Sequence, residues 1–286
     1  MHLSHTIVTM ASAVAVDNKL TISEKVSAFI AFHAIFIPPS SLILTIIFAP
    51  AWIKVQAILL YIVFVVWSGC SFGCEYKHGN PNRRFAEDFP VFHTMRNYLK
   101  LSFGPLPKEL VDAEKKDGAQ FIFAAFPHGC SSEFRILMEG LLHDVLPNIH
   151  HKVRALAATV LFCIPIVREI AISTGCVNAS RKTAETNLDK GHSLVVLPGG
   201  EAEQLMTEYG KEKVYLKRRK GFIKLALRKR VPVVPMFVFG SSDLFHTSKF
   251  LYGPRYWLMK NLGVCIPLCR GSLGSPVCPL PNKVTI

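Results

Sequence analysis

The sequence predicts an α/β protein in which an N-terminal membrane helical hairpin precedes a domain with a mostly parallel sheet. Half of the 286 residues are hydrophobic and only 19% are charged, a smaller charged share than is usual for a soluble domain. Residues 26–67 contain one formally charged side chain, Lys54. After residue 75, short apolar runs alternate with segments of helical spacing, and this alternation is typical of α/β proteins.

The membrane hairpin is predicted from two apolar stretches, residues 26–48 and 55–72. Each is close to the ~20 residues that a helix needs to cross a bilayer. Pro38 and Pro39 should kink the first arm. Basic residues precede and follow the hairpin, which predicts that both flanks are cytosolic. The alternative is a buried core hairpin of a soluble protein. The predicted division is a cytosolic segment 1–25, a membrane hairpin 26–72 and an α/β domain 73–286.

The α/β domain is predicted from the order of its elements. Residues 75–116 mix aromatic and charged side chains and should pack the anchor against the domain. Strands separated by helices indicate a largely parallel sheet. We predict strands at 120–126, 193–197 and 233–239, helices at 133–145, 166–173, 180–188 and 220–229, and leave 154–162 open between strand and helix.

The first candidate site residue is His128, which lies between Pro127 and Gly129 directly after the first predicted strand. Reactive groups in open α/β sheets lie outside the carboxyl ends of strands. Histidine is also the side chain whose ordinary pKa suits a general base. Glu133 follows five residues later and could accept the other ring N–H. A structural loop role for His128 is the alternative.

The second candidate is the turn Pro198-Gly199-Gly200 that follows the second predicted strand. Paired glycines let the backbone approach a ligand closely, and a helix that starts there offers free N–H groups to an anion or oxyanion. Glu201 or Glu203 could instead orient His128 or a substrate hydroxyl. An ordinary strand-to-helix turn is the alternative.

The third candidate is a basic block at residues 211–230, with ten Lys or Arg side chains against one acid, in a chain of net charge +13. Such a block indicates an anionic partner, either a phosphate-bearing ligand or anionic lipid headgroups. We do not predict nucleic acid as a partner, because no aromatic stacking pattern or known nucleic-acid module accompanies the block.

The three candidate sites and several further motifs occur along the chain in the order and spacing of one known family. The chain is similar to the type 2 diacylglycerol O-acyltransferase family, which includes monoacylglycerol and wax-alcohol acyltransferases, over residues 90–281. The motifs that carry the resemblance are Arg96-Asn97-Tyr98, residues 126–129, Arg168-Glu169, Gly175, Ser180-Arg181, residues 198–203, residues 219–227, Val234-Pro235 and Phe239-Gly240.

The resemblance implies an acyltransferase that uses acyl-CoA as co-substrate, with no cofactor, no metal and no covalent acyl-enzyme. It implies a glycerolipid-acyltransferase-like fold, with His128 as general base in the family's His-Pro-His-Gly motif. Phe126 replaces the first histidine of that motif here, and Glu203 matches the family's acid. The remaining predicted site residues are Pro127, Gly129, Arg181, Gly199 and Gly200 around the oxyanion, and Arg218, Arg219 and Lys220 at the CoA phosphates.

The resemblance also implies partners and a location. We predict diacylglycerol as acceptor, at the endoplasmic reticulum membrane or on lipid droplets, with the catalytic domain facing the cytosol. A homo-oligomer is compatible with the sequence, and family members carry a further helical segment beyond the position of Ile286. The alternatives are a monoacylglycerol, long-chain-alcohol or lysophospholipid acyltransferase, or a non-catalytic lipid-binding membrane protein. A lipid hydrolase is disfavoured, because residues 74–286 contain no Gly-x-Ser-x-Gly motif, and the one match, residues 69–73, lies at the end of the predicted hairpin and not after a predicted strand.

Overall fold

The computed structural model describes residues 20–70, 75–263 and 265–286. The described chain begins with three helices, α1 (Ile22–Ala34), α2 (Ile37–Phe48) and α3 (Ala51–Cys70). Thr21 and Glu24 form a capping box that satisfies N–H groups at the start of α1. Most of the predicted segment 1–25 and the end of the predicted hairpin, residues 71–72, lie outside the described residues.

Four short helices follow the N-terminal helices: α4 (Glu75–His78), α5 (Arg83–Asp88), α6 (Pro90–Tyr98) and α7 (Lys108–Glu114). Helix α1 packs on α6, where the rings of Phe32 and Tyr98 meet edge to face with centroids 5.8 Å apart. Both side chains are buried. Residues 75–116 therefore join the N-terminal helices to the domain, as their mixed composition predicts.

The first arm of the predicted hairpin is bent in the structure. No single helix among the described residues is both long and apolar enough to cross a membrane. Helix α1 and residues 39–48 of α2 meet that requirement together, but they are bent by 59°. The bend falls beside Pro38, where the sequence predicts a kink. The position of these helices relative to a membrane stays a prediction.

A five-stranded sheet forms the centre of the domain, with β1 (Ile122–Phe126), β2 (Val153–Ala157), β3 (Cys176–Asn178), β4 (Ser193–Val196) and β5 (Val233–Phe237). The strand order is β3-β2-β4-β1-β5, and each neighbouring pair is parallel. Ile122 lies beside Leu194 on one side and Val233 on the other. The predicted parallel α/β sheet is confirmed.

Helices cover both faces of the sheet, as a buried parallel sheet requires. One face packs on α1, α6, and on α8 (Glu133–Leu137) and α9 (Leu142–Val145), which connect β1 to β2. The other face packs on α11 (Arg181–Asp189) and α13 (Gly221–Lys229). Alternate residues of β1 therefore enter different cores: Phe123 and Ala125 the first, Ile122 the second.

Between residues 120 and 239 the predicted elements agree with the structure, with three differences. Helix 133–145 is interrupted by a 3-10 turn at Met138–Leu141. The ambiguous stretch 154–162 divides into β2 and a 3-10 helix, Thr159–Cys163. Strand β3 has only three residues and is absent from the predicted strands. Between β2 and β4, helix α10 (Val167–Ser173) precedes β3, and α11 follows it with Ser180 as its cap, as predicted.

The C-terminal part adds a two-stranded ribbon and one helix. Strands β6 (His246–Thr247) and β7 (Cys269–Arg270) pair antiparallel, and α14 (Tyr252–Leu262) lies between them in sequence. The buried Arg255 donates hydrogen bonds to the carbonyls of Ser248 and Ile266, the latter at 3.2 Å. This guanidinium holds the connection between the two short strands in place.

Candidate active site

The candidate site lies where the strand order reverses. β1 and β4 are neighbours in the sheet. The connection from β1 leads to β2, toward one edge of the sheet, and the connection from β4 leads to β5, at the other edge, so the two connections leave the adjacent strand ends in opposite directions. Ligands of open α/β sheets bind in the crevice at such a point. His128 follows β1, and the Gly199-Gly200 turn follows β4, where helix α12 (Gly200–Met206) begins. The sheet therefore brings the first two predicted motifs together.

A buried carboxylate fixes the backbone of His128. The Glu203 side chain is 2% exposed, and its Oε1 accepts the backbone N–H of His128 at 2.5 Å. Its Oε2 accepts the backbone N–H of Tyr215 at 2.6 Å. We call this arrangement the Glu203 clamp. Charge-assisted hydrogen bonds of this kind are stronger than neutral ones, so the clamp holds the His128 loop against the start of α12.

Gly199 is required by the Glu203 clamp. A Cβ at residue 199 would overlap the Glu203 Oε2 atom, so any larger residue would displace the carboxylate. The Gly199 carbonyl accepts a hydrogen bond from Arg219 Nη2 at 3.1 Å. The Gly200 N–H donates to the Leu197 carbonyl at 3.1 Å, so this group is already used within the turn. The turn is braced by three independent contacts.

The His128 imidazole is in the form that a general base needs. Burial lowers its pKa to about 4, so the ring is neutral at pH 7. Its Nδ1 lies 3.3 Å from the Gly129 carbonyl oxygen. Because a carbonyl only accepts hydrogen bonds, this contact favours the tautomer with the ring proton on Nδ1 and with Nε2 as the proton acceptor.

Glu133 is not the hydrogen-bond partner of the His128 ring in this structure. Its Oε1 accepts the hydroxyl of Ser131 instead. Ser132, between them, has a left-handed backbone with φ of 51°, which redirects the chain before α8 starts. Burial raises the pKa of Glu133. The predicted tautomer-fixing role therefore falls to the Gly129 carbonyl in the described geometry.

The predicted basic and oxyanion residues lie in two places. Arg219 packs over the Tyr215 ring at 5.3 Å and belongs to the site, while Arg218 and Lys220 are exposed beside it. Arg181 pairs with Glu185 at 2.8 Å at the start of α11, after the far strand β3. Two strands separate β3 from β1, which is roughly 14 Å at the usual strand spacing. The strand order therefore disfavours a direct contact of Arg181 with the reacting atoms.

Two contacts at the site are missed by sequence reasoning. Gln204 donates through Nε2 to the Cys130 carbonyl at 2.6 Å. Gly129 packs against Ser241, where an added Cβ would lie 3.3 Å from the Ser241 carbonyl oxygen. These partners are far apart in sequence, and no local pattern marks them. Together with the Glu203 clamp they hold the His128 loop from two sides.

An apolar cavity of about 380 Å³ lies under the sheet beside the site. It runs along the face of β1, β4 and β5 and reaches Phe239, two residues before the Ser241 contact with Gly129. Its volume falls within the range of small-molecule sites, roughly 300–1,000 Å³. The side chains that define its walls are Phe123, Met138, Leu142, Val195, Val234 and Phe239.

The fold and the site together define an α/β protein with a neutral histidine at a sheet switch point. Comparison with known families then identifies it: the chain matches the diacylglycerol acyltransferase family model over residues 45–283 and belongs to that family. The family resemblance read from the motifs is confirmed. No solved structure matches the chain.

Three relatives show the range of the similarity. Diacylglycerol O-acyltransferase 2 of Dictyostelium discoideum is 30% identical, over 73% of this chain and 64% of the relative. Diacylglycerol O-acyltransferase 1 of Eremothecium gossypii is 31% identical, over 52% and 34%. 2-acylglycerol O-acyltransferase 1 of Mus musculus is 28% identical, over 73% and 63%. The chain thus spans between about a third and under two thirds of the length of these relatives.

Proposed function

We propose that this protein transfers a fatty acyl group from acyl-CoA to the free hydroxyl of diacylglycerol, forming triacylglycerol. The observation that carries the proposal is the neutral His128 imidazole, held by the Glu203 clamp at the switch point of a chain that belongs to the diacylglycerol acyltransferase family. A hydroxyl is a poor nucleophile at neutral pH, and an unprotonated imidazole overcomes this by accepting its proton.

The proposed reaction proceeds through one addition and one elimination. His128 Nε2 takes the proton as the acceptor oxygen attacks the thioester carbonyl. The tetrahedral intermediate collapses, the carbon–sulfur bond breaks, and the imidazolium returns the proton to the CoA sulfur. Gly199 as oxyanion donor, and Arg218, Arg219 and Lys220 at the CoA phosphates, stay predictions, whereas the strand order disfavours Arg181 as an oxyanion donor. Arg219 is supported most directly, because it already contacts the Gly199 carbonyl.

A membrane location is part of the proposal. Helices α2 and α3 expose large apolar side chains, among them Ile47, Phe48, Trp52, Leu60 and Val63. Contiguous apolar surface of this kind marks a membrane or protein contact. We propose that these helices hold the domain at the endoplasmic reticulum membrane or a lipid droplet, so that the insoluble acceptor reaches the site from the lipid.

The proposed function is tested with microsomes that express this chain, supplied with radiolabelled oleoyl-CoA and a panel of acceptors. The panel contains diacylglycerol, monoacylglycerol, a long-chain alcohol and lysophosphatidate. We expect label mainly in triacylglycerol. Label in diacylglycerol would instead identify a monoacylglycerol acyltransferase, the activity named for the mouse relative. No transfer to any acceptor, with the protein in the membrane fraction, would refute the enzymatic proposal.

The pH dependence of the reaction follows from the burial of His128. A base works only when unprotonated, so activity is present above its pKa and is lost as the pH falls through about 4. An imidazole at the ordinary value of 6.5 would lose activity much earlier. We expect kcat/KM for the donor to stay flat from about pH 8 to about pH 5. An acid limb centred near 6.5 would contradict the buried, neutral state.

We propose that the apolar cavity holds the acyl chain of the donor. Val234 is half-buried on β5 and lines the cavity, so Val234→Trp should shorten it without filling the closed core. We expect the ratio of kcat/KM for oleoyl-CoA to that for octanoyl-CoA to fall by roughly tenfold or more, the scale set by a few lost methylene contacts. Leu227→Trp is the control, since Leu227 is 74% exposed on α13. Equal ratios in both variants would exclude this use of the cavity.

A further inference from the structure

A second, polar pocket of about 870 Å³ opens at the surface beside the site. It lies between the turn that follows α12 and the β6–β7 ribbon. We call it the Glu208 pocket, after the acidic residue that lines it. The polar and aromatic side chains that give the pocket its chemical character are Glu208, Tyr209, Lys211, His246, Lys249 and Arg270, which all line it.

Three lysines converge on the single carboxylate of this pocket. Lys213, Lys249 and Lys211 place Nζ 2.8, 2.6 and 3.0 Å from the Glu208 oxygens. Their hydrogen bonds hold the pKa of Glu208 well below its usual range. The three ammonium groups outnumber the one carboxylate, and Arg270 adds a further cation to the wall. The lining side chains, together with Lys213, which contacts Glu208 without lining the pocket, therefore carry a net positive charge.

The nearby acids do not cancel this charge at the pocket wall. Glu212 and Asp243 lie close to the same turn, and Asp243 accepts a hydrogen bond from the Gly210 backbone. Burial raises the pKa of both carboxyls. Neither side chain lines the pocket, whereas the lysines at 211 and 249 do.

An aromatic pair supplies exposed ring faces next to the lysines. The rings of Tyr209 and His246 lie 4.0 Å apart with an interplanar angle of 43°. Both side chains are exposed on the pocket side. A purine has a π-face that stacks on such rings, and lysine ammonium groups bind phosphate oxygens. The pocket thus combines the two features that an adenosine phosphate requires.

The Glu208 pocket is joined to the His128 loop by two short routes. Cys269 lines the pocket, and its thiol contacts the thiol of Cys130, two residues after His128. Glu208 itself follows helix α12, which carries the Glu203 clamp. These connections place the pocket next to the loop that carries His128.

We propose that the Glu208 pocket binds the adenosine 3′-phosphate end of the acyl-CoA donor. The 3′-phosphate is a monoester dianion that pairs with the ammonium groups of residues 211, 213 and 249. The adenine lies on the Tyr209–His246 pair, and the pantetheine arm runs past Cys269 toward His128. The inference rests on the proposed use of acyl-CoA. It places the adenosine 3′-phosphate away from Arg218 and Lys220, which can then bind the pyrophosphate.

The experiment compares oleoyl-CoA with oleoyl-dephospho-CoA, which lacks only the 3′-phosphate. In the unaltered protein we expect the KM for oleoyl-CoA to be roughly tenfold lower than the KM for oleoyl-dephospho-CoA, because only oleoyl-CoA has the charged 3′-phosphate that accepts hydrogen bonds from the lysines. The double variant Lys213→Gln/Lys249→Gln should raise the KM for oleoyl-CoA to the value for the dephospho donor, with kcat unchanged. Lys260→Gln, on the exposed face of α14, is the matched control and should keep the preference.

Three outcomes would overturn the inference. The double variant could keep the full preference for the 3′-phosphate, or Arg218→Gln could abolish that preference in its place. The double variant could also lose activity equally with both donors when it is assayed in lipid vesicles, with a loss that grows with the anionic lipid content. That result would make the pocket a binding site for lipid headgroups. Circular dichroism and thermal unfolding of the variants exclude a folding defect as the cause.

A binding measurement separates this inference from the proposed function. Calorimetry of the purified protein with CoA and with dephospho-CoA, both without an acyl group, needs no turnover. Tighter binding of CoA that disappears in the double variant supports the pocket even if no acyl transfer is detected. Equal binding of both ligands by the unaltered protein refutes the pocket even if transfer is active.

Discussion

Replacement of His128 by alanine should lower acyl transfer by roughly 10²–10⁴-fold, the usual contribution of a general base. The reason is that Nε2 is the neutral proton acceptor at the switch point, in the tautomer that the Gly129 carbonyl favours. The measurement is the initial rate of triacylglycerol formation from saturating oleoyl-CoA. Membrane insertion and thermal stability should be preserved, because the Glu203 clamp binds the backbone N–H of residue 128 and not its ring.

His93→Ala is the matched control for this prediction. His93 is exposed on α6, where its ring contacts Asn97 at 3.2 Å, and it lies outside the candidate site. We expect full activity from that variant. If His128→Ala retained more than a tenth of the original rate, His128 would not be the general base. The Glu203 clamp would then serve only the stability of the loop.

Glu203→Gln should affect stability and rate together. Glutamine keeps the shape of the side chain, but its NH₂ group must then face the backbone N–H of either His128 or Tyr215. An unsatisfied buried donor costs roughly 1–3 kcal/mol in free energy of unfolding. This corresponds to a fall in Tm of several degrees, at about 2–4 °C per kcal/mol for a domain of this size. Differential scanning fluorimetry in detergent measures it.

The rate should fall further than stability alone explains. Displacing a catalytic group by about 1 Å can cost on the order of 10²-fold, and the clamp sets the position of His128. Glu201→Gln is the comparison, since Glu201 lies two residues away on the same helix and is only half-buried. Equal effects of the two substitutions on Tm and rate would show that the two hydrogen bonds of Glu203 do not position His128.

Much of the sheet could be predicted because its strands are short apolar runs with clear boundaries. The predicted ends of β1, β4 and β5 lie within a few residues of the observed ones. β3 escapes prediction, since Cys176–Asn178 is too short to show a period of its own. Its position depends on pairing with β2, a contact that no local pattern reports.

The candidate site could be predicted in part. His128 and the paired glycines are placed correctly at strand ends, because proline, glycine and the end of an apolar run are local signals. The spacing of Glu133 to His128 predicts a role for Glu133 at the imidazole ring. In the structure the Glu133 carboxylate instead accepts a hydrogen bond from the Ser131 hydroxyl. The left-handed backbone of Ser132 turns the chain, so distance along the sequence does not translate into distance in space.

The sequence by itself determined most of the elements of the sheet domain, the two motifs at strand ends and the family to which they belong. These depend on interactions within a few residues of one another. Only the tertiary structure decided that Glu203 holds the backbone of His128, 75 residues away in sequence, and that Lys249 joins Lys213 at Glu208. Such contacts arise from the order β4-β1-β5, since strand order places distant loops side by side, and a one-dimensional pattern does not contain that order.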